Sequence, residues 1–188
     1  LASGFAMRGY RVLLVDTDTQ GHAARLLGMP KRAALYELLT GRADPLDAVD
    51  LVDPARYLPP DWEGAGELML VASNRETQLI PLEVNDVFVL RTAISHLADL
   101  HGIDLCVVDT APTATLLESA IFYAADTMLL VSEATALAAD GLAEGIQALA
   151  AVNANRADDG MVQVKVLGVL INKLMGSPKV QRKWLNRL

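Results

Sequence analysis

Two acids one residue apart close an apolar run: Val12-Leu13-Leu14-Val15-Asp16-Thr17-Asp18-Thr19-Gln20-Gly21. Carboxylates at the end of a buried strand are costly unless a metal, a cation or a reacting water uses them. Ligands of open α/β sheets bind beyond the carboxyl ends of the strands, which is where this pair falls. A carboxylate there can hold magnesium through water, because Mg²⁺ keeps most of its hydration shell. A second can orient or deprotonate a water for in-line attack on phosphorus. The matching segment lies downstream, in Ile103-Asp104-Leu105-Cys106-Val107-Val108-Asp109-Thr110-Ala111-Pro112. Capping of the next helix is the plainer use of any one of these acids. Convergence of several on one rim favours chemistry instead.

The elements that must position them follow from the hydrophobic pattern. Residues 11–16 form a continuous apolar run, as expected of a strand buried on both faces. Residues 67–72, 105–109, 127–132 and 165–171 give four more strands. Short helices are expected over residues 21–27 and 33–39, with Gly28 and Pro30 between them. Asp44-Pro45, an N-cap followed by proline, is expected to open another. Residues 52–66, rich in Pro, Asp and Gly, read as a surface connection. Leu90, Ile94, Leu97 and Leu100 follow helical spacing up to Gly102, and residues 115–124 and 137–153 are helical. Strands alternating with helices imply right-handed crossovers and a mostly parallel sheet, hence an α/β fold with helices on both faces. One rim of that sheet would collect Asp16, Asp18, Ser73, Asn74, Asp109, Thr110, Glu133, Asn172 and Lys173.

Bulk properties narrow the class. A chain of 188 residues suits one well-buried domain. With 52% hydrophobic but only 5% aromatic residues, an α/β core is favoured over an all-β sandwich. The longest uncharged apolar stretches are strand-length, so no membrane span and no membrane partner are expected. The single cysteine, Cys106, has no disulfide partner within the chain, fits a reducing cytoplasmic setting, and reads as a buried, inert thiol. His22, His96 and His101 show no metal-ligand spacing and read as surface or helix-end residues. A net charge of −7 argues against a uniformly basic nucleic-acid binder. The charge is uneven, however: residues 173–188 carry Lys173, Lys179, Arg182, Lys183 and Arg187 without an acid. The chain starts at Leu1 in what reads as the last turns of a helix, and ends in what reads as an unfinished one. Both ends look cut, so a fragment, truncated at both termini, is expected.

Asp16-Thr17-Asp18-Thr19-Gln20-Gly21 resembles the Asp-x-Asp-Pro-Gln-Gly segment of the deviant-Walker P-loop ATPases, the group containing ParA/Soj partition proteins, MinD and the nitrogenase iron protein. Residues 104–112 resemble that family's Walker B strand and switch. Residues 124–131 resemble the strand that follows, and Gly141-Leu142 the pair opening a long helix. Gly168-Val169-Leu170-Ile171-Asn172-Lys173 resembles its last strand. The resemblance implies a P-loop NTPase-like fold of the SIMIBI type that binds ATP and Mg²⁺. By the same resemblance Asp18 positions the attacking water and also stands near the metal, with Asp16 supporting the switch around it. Asp109 binds Mg²⁺ through water, Thr110 to Thr113 form the second switch, Asn172 reads the adenine edge, and Thr110, Pro112, Asn172 and Lys173 bind the cofactor. Thr19 replaces the family's proline, and Thr113-Ala114-Thr115 replaces its Ser-Leu-Gly. The family's Lys-Gly-Gly-x-Gly-Lys-Thr loop, which grips phosphates with backbone N–H groups, is not among these residues.

The implied function is that of a ParA-like ATPase for plasmid or chromosome partition. ATP would drive a homodimer that binds DNA non-specifically on the bacterial nucleoid, and a ParB-like protein would stimulate hydrolysis. Without the phosphate loop, the 188-residue chain alone is expected to bind ATP poorly and not to hydrolyse it. The basic run at residues 173–188 fits phosphate contacts and equally a solvated helix face. Two alternatives stay open: a MinD-like positioning ATPase, and a non-enzymatic receiver-like or degenerate binding domain. A receiver also carries an acid pair after one strand, an Asp after another and a Lys after the last. A dinucleotide-binding reading fails for want of Gly-x-Gly-x-x-Gly after any strand.

Overall fold

A computed structural model describes residues 1–110, 116–133 and 136–172, without the side chains of residues 136–140. The chain divides into two compact units, Leu1–Ala124 and Ala125–Leu188. In the first, β1 (Val12–Asp16) lies between β3 (Leu68–Val71) and β4 (Leu105–Asp109) and runs parallel to both. A two-residue strand, β2 (Asp50–Leu51), adds an antiparallel edge to β3. The sheet order is therefore β2-β3-β1-β4.

Strand side chains alternate between faces, and each face of this sheet has its own core. Leu13, Val15, Met69 and Val71 point to one side. There they meet Ala34, Leu35 and Leu39 of α3 (Ala34–Leu39), Leu90 and Leu97 of α5 (Val89–His101), and Leu117 and Ala120 of α6 (Leu116–Ala124). Val12, Leu68, Leu70 and Ala72 point to the other side, against α1 (Ala2–Ala6) and α2 (His22–Leu26). Burial on both faces explains why these strands read as unbroken apolar runs. The α/β class, the mostly parallel pairing and the helices on both faces agree with the sequence reading. Leu100 differs: it is 46% exposed, while Leu90, Ile94 and Leu97 pack inward. Helix α5 ends as expected at Gly102, whose φ of 60° lets the Ile103 N–H reach back to the Ala98 carbonyl.

Two local expectations are corrected. Asp44-Pro45 opens no helix. The Asp44 carboxylate accepts the Leu46 N–H at 2.9 Å and its carbonyl accepts the Asp47 N–H, closing a single turn before β2. An Asp side chain that bonds its own backbone two residues on competes with helix propagation. Conversely, helical structure follows β3 unforeseen: a 3₁₀ turn (Arg75–Leu79) runs straight into α4 (Ile80–Glu83).

In the second unit β5 (Thr127–Glu133) pairs in parallel with β6 (Lys165–Asn172), joined by α7 (Ala136–Asp158). Among the described residues of this unit, β5 and β6 form a two-stranded parallel sheet. The α7–β6 connection is tied down by side chains acting as backbone surrogates. Asn153 donates to the Val164 carbonyl at 3.1 Å and accepts the Val164 N–H at 2.8 Å. Arg156, only 2% exposed, donates twice to the Val162 carbonyl and once, at 2.9 Å, to that of Ala125. Arg156→Met keeps the apolar stem but removes the donors to those carbonyls. It is expected to cost about 2–3 kcal/mol, read as a lower urea midpoint.

Candidate functional site

The rim of the four-stranded sheet begins with Asp16, the last residue of β1, which is fully buried. Its Oδ1 accepts the Asp18 N–H and its Oδ2 accepts the Ala23 N–H, both at 3.0 Å. One carboxylate thus bends the loop back and anchors the start of α2. Burial pushes the Asp16 pKa up; the two N–H bonds and the Ser73 hydroxyl pull against this, and the nearby Asp109 charge adds to the rise.

Asp18 is placed differently. Its side chain is 26% exposed, with Oδ1 accepting the Gln20 N–H at 2.9 Å and Oδ2 lying 3.3 Å from His22 Nδ1. The Asp18 carbonyl accepts the Gly21 N–H at 2.9 Å, so the turn closes although Thr19 stands where the family has proline. Gly21 is required at the end of that turn. Its φ is 58°, and a Cβ there would come within 2.5 Å of the Ser73 carbonyl. Lys31 reaches over the same turn to donate to the Gln20 carbonyl.

Asp109 ends β4 opposite Asp16 in the β1–β4 register. Its carbonyl accepts both the Thr17 N–H at 3.0 Å and the Thr17 hydroxyl at 2.7 Å, which pins the end of β4 to the acid loop. Asp109 and Thr110 are exposed on this rim. Among the described residues, no group of three or more His, Cys, Asp and Glu stands close enough to cage a metal ion. Exposed carboxylate at a strand end, with water making up the shell, is the donor set magnesium takes beside phosphates, so the residues present fit a hydrated Mg²⁺. Cys106, one face over on β4, has its thiol pushed up to about 12 by burial and takes no part in this chemistry.

In the second unit Asn172 ends β6, in register with Glu133 at the end of β5. Both line an open cleft of about 400 Å³ together with Ser132 and Leu142. Pro112, Lys173 and the basic run at residues 173–188 lie outside the described residues. Sequence reasoning put Ser73 on the rim without a task, read His22 as a surface or helix-end residue, and gave no role to Thr17 or Lys31. Ser73 alone had a legible signal, as a polar residue ending an apolar strand.

Residues 1–159 match the AAA domain family. The chain belongs to this family. Its relatives are ParA/MinD-type partition ATPases, as the strand-end motifs imply. Protein IncC of Escherichia coli is 29% identical over 176 residues, spanning 93% of this chain and 45% of IncC. The chromosome-partitioning ATPase Soj of Thermus thermophilus is 30% identical over 179 residues, spanning 94% of this chain and 62% of Soj. This AAA domain chain therefore covers about half to three-fifths of the length of those relatives. Among solved structures, cobyrinic acid a,c-diamide synthase from Mycobacterium smegmatis, bound to an ATP analogue and magnesium, superposes with a TM-score of 0.79. It is 20% identical, and the likeness covers 99% of this chain and 72% of that one. At that identity it shows the fold, a P-loop NTPase fold. Family membership decides against the receiver-like reading of the same strand ends. No helix among the described residues is long and apolar enough to cross a membrane.

Proposed function

We propose that this chain supplies the acid-bearing side of a Mg·ATP site in a ParA-type partition ATPase. One observation carries the reading: Asp16 uses both oxygens on the N–H groups of Asp18 and Ala23, and so presents Asp18, the less buried acid, on the rim that it shares with Asp109. Asp16 is then the organiser of the loop and Asp18 the group that orients the attacking water. Asp109 would hold Mg²⁺ through water, with Asp18 as the second acid near it. When bound, the metal neutralises charge on the β- and γ-phosphates. Thr110 and Pro112 belong to the second switch, Asn172 reads the adenine edge, and Lys173 is a further cofactor-binding residue. A relative named as a chromosome-partitioning ATPase and a neighbour with bound ATP analogue and magnesium support these roles.

In this reading ATP drives a homodimer that binds DNA of any sequence through basic residues, the run at 173–188 among them. A ParB-like protein stimulates hydrolysis and release, which places the protein in the bacterial cytoplasm on the nucleoid. The full-length gene product is expected to hydrolyse ATP only with Mg²⁺, to dimerise with ATP, and to retain arbitrary DNA with an affinity that falls steeply as salt rises. Absence of Mg²⁺-dependent ATP consumption by that protein would overturn the reading. The 188-residue polypeptide by itself is expected to show no turnover in the same assay. ATP-dependent retention on anionic lipid vesicles in place of DNA would point to a MinD-like protein instead.

A further inference from the structure

We propose that Ser73 is a positioning residue for Asp18, acting through the main chain of the acid loop. The inference rests on the reading of Asp18 as the water-orienting group. Ser73 lies two residues beyond β3 and is fully buried. A buried hydroxyl must find a partner, and this one donates to the Asp18 carbonyl at 2.5 Å, across 55 residues of sequence. The Asp16 carboxylate is a second acceptor near the same hydroxyl, which has one proton to give. On its other side the Ser73 carbonyl sits against Gly21, so closely that no Cβ fits between them. The end of β3 therefore grips the turn at both Asp18 and Gly21.

This grip does what the local turn does not. The Gln20 N–H on the Asp18 carboxylate and the Gly21 N–H on its carbonyl fix the shape of the turn. Neither fixes where the turn sits relative to the sheet. Asp16 ties the loop to β1 and Thr17 ties it to β4. Ser73 supplies the third anchor, on the strand at the other side of β1. With three anchors the Asp18 Cα has a fixed place, and the carboxylate a fixed reach. Placement matters because an error of about 1 Å in a reacting group can cost on the order of 100-fold in rate. Nucleotide affinity, which comes from phosphate and base contacts, does not depend on this anchor.

The test compares Ser73→Ala with wild type in the full-length protein, at a temperature where both are folded. The expected result is a kcat lower by about tenfold, with KM and the dissociation constant for Mg·ATP unchanged within about twofold. A purely structural role would lower the unfolding midpoint while leaving the kcat of the folded protein intact, and that outcome overturns the proposal. So does a loss confined to KM. If Ser73→Ala fails to fold, Ser73→Cys, a near-isostere with a weak donor, is held to the same outcomes. Asp18→Ala run alongside separates the two ideas. Wild-type turnover by Asp18→Ala sinks the reading of Asp18, whereas an inactive Asp18→Ala beside a fully active Ser73→Ala sinks only the positioning role.

Discussion

Asp16→Ala is expected to lower the stability of the nucleotide-free full-length protein by about 2–4 kcal/mol and to remove ATP turnover with it. The carboxylate is fully buried and accepts two backbone N–H groups, those of Asp18 and Ala23. Alanine leaves the buried Ala23 N–H and the part-buried Asp18 N–H without their acceptor, and each such loss costs about 1–3 kcal/mol. Relief of the burial penalty on the charge offsets part of this. The pH dependence has a definite sign. Burial raises the folded pKa of Asp16 above its ordinary value of 3.8, so the folded state holds its proton to higher pH than the unfolded chain. Stability contributed by Asp16 is therefore full below the ordinary value and declines as pH climbs through the raised one. The gap between wild type and Asp16→Ala should be widest at the acid end and narrow toward neutrality. Urea midpoints for both proteins across pH check this, and equal midpoints at every pH would contradict it.

Asp18→Ala should behave in the opposite manner, losing chemistry and keeping the fold. The contacts of its carboxylate, to the Gln20 N–H and His22, lie at the surface, and their removal is worth about 1 kcal/mol. A group that orients or deprotonates the attacking water contributes about 10²–10⁴ in rate. Turnover should fall by that factor while ATP binding persists or tightens, because one negative charge beside the phosphates is gone. Phosphate release and unfolding midpoints measured on the same preparations separate the two acids. An Asp18→Ala protein that is unstable but normally active would exchange the roles assigned here.

Strands β1 and β3 were legible because burial on both faces leaves a plain mark, a run such as Val12-Leu13-Leu14-Val15 with no polar break. Their order in the sheet was not, since pairing of β1 with β3 and β4 depends on contacts far apart in sequence. Asp50–Leu51 is too short for any period to show, and the helical stretch from Arg75 to Glu83 contains Pro81 and lacks a sustained apolar stripe. At the site the acids announced themselves by type and by place, at strand ends. What distinguishes them did not. Asp16 and Asp18 are the same residue two positions apart, and only the folded loop buries one with both oxygens on backbone donors and leaves the other partly exposed. The Ser73 and Lys31 contacts, which span 55 and 11 residues, likewise leave no local trace.

The most direct measurement is single-turnover cleavage of ATP bound to the full-length protein with Mg²⁺, wild type beside Asp18→Ala. Wild type is expected to convert bound ATP to ADP while the variant holds ATP intact over the same interval. Conversion by the variant at the wild-type rate would contradict it.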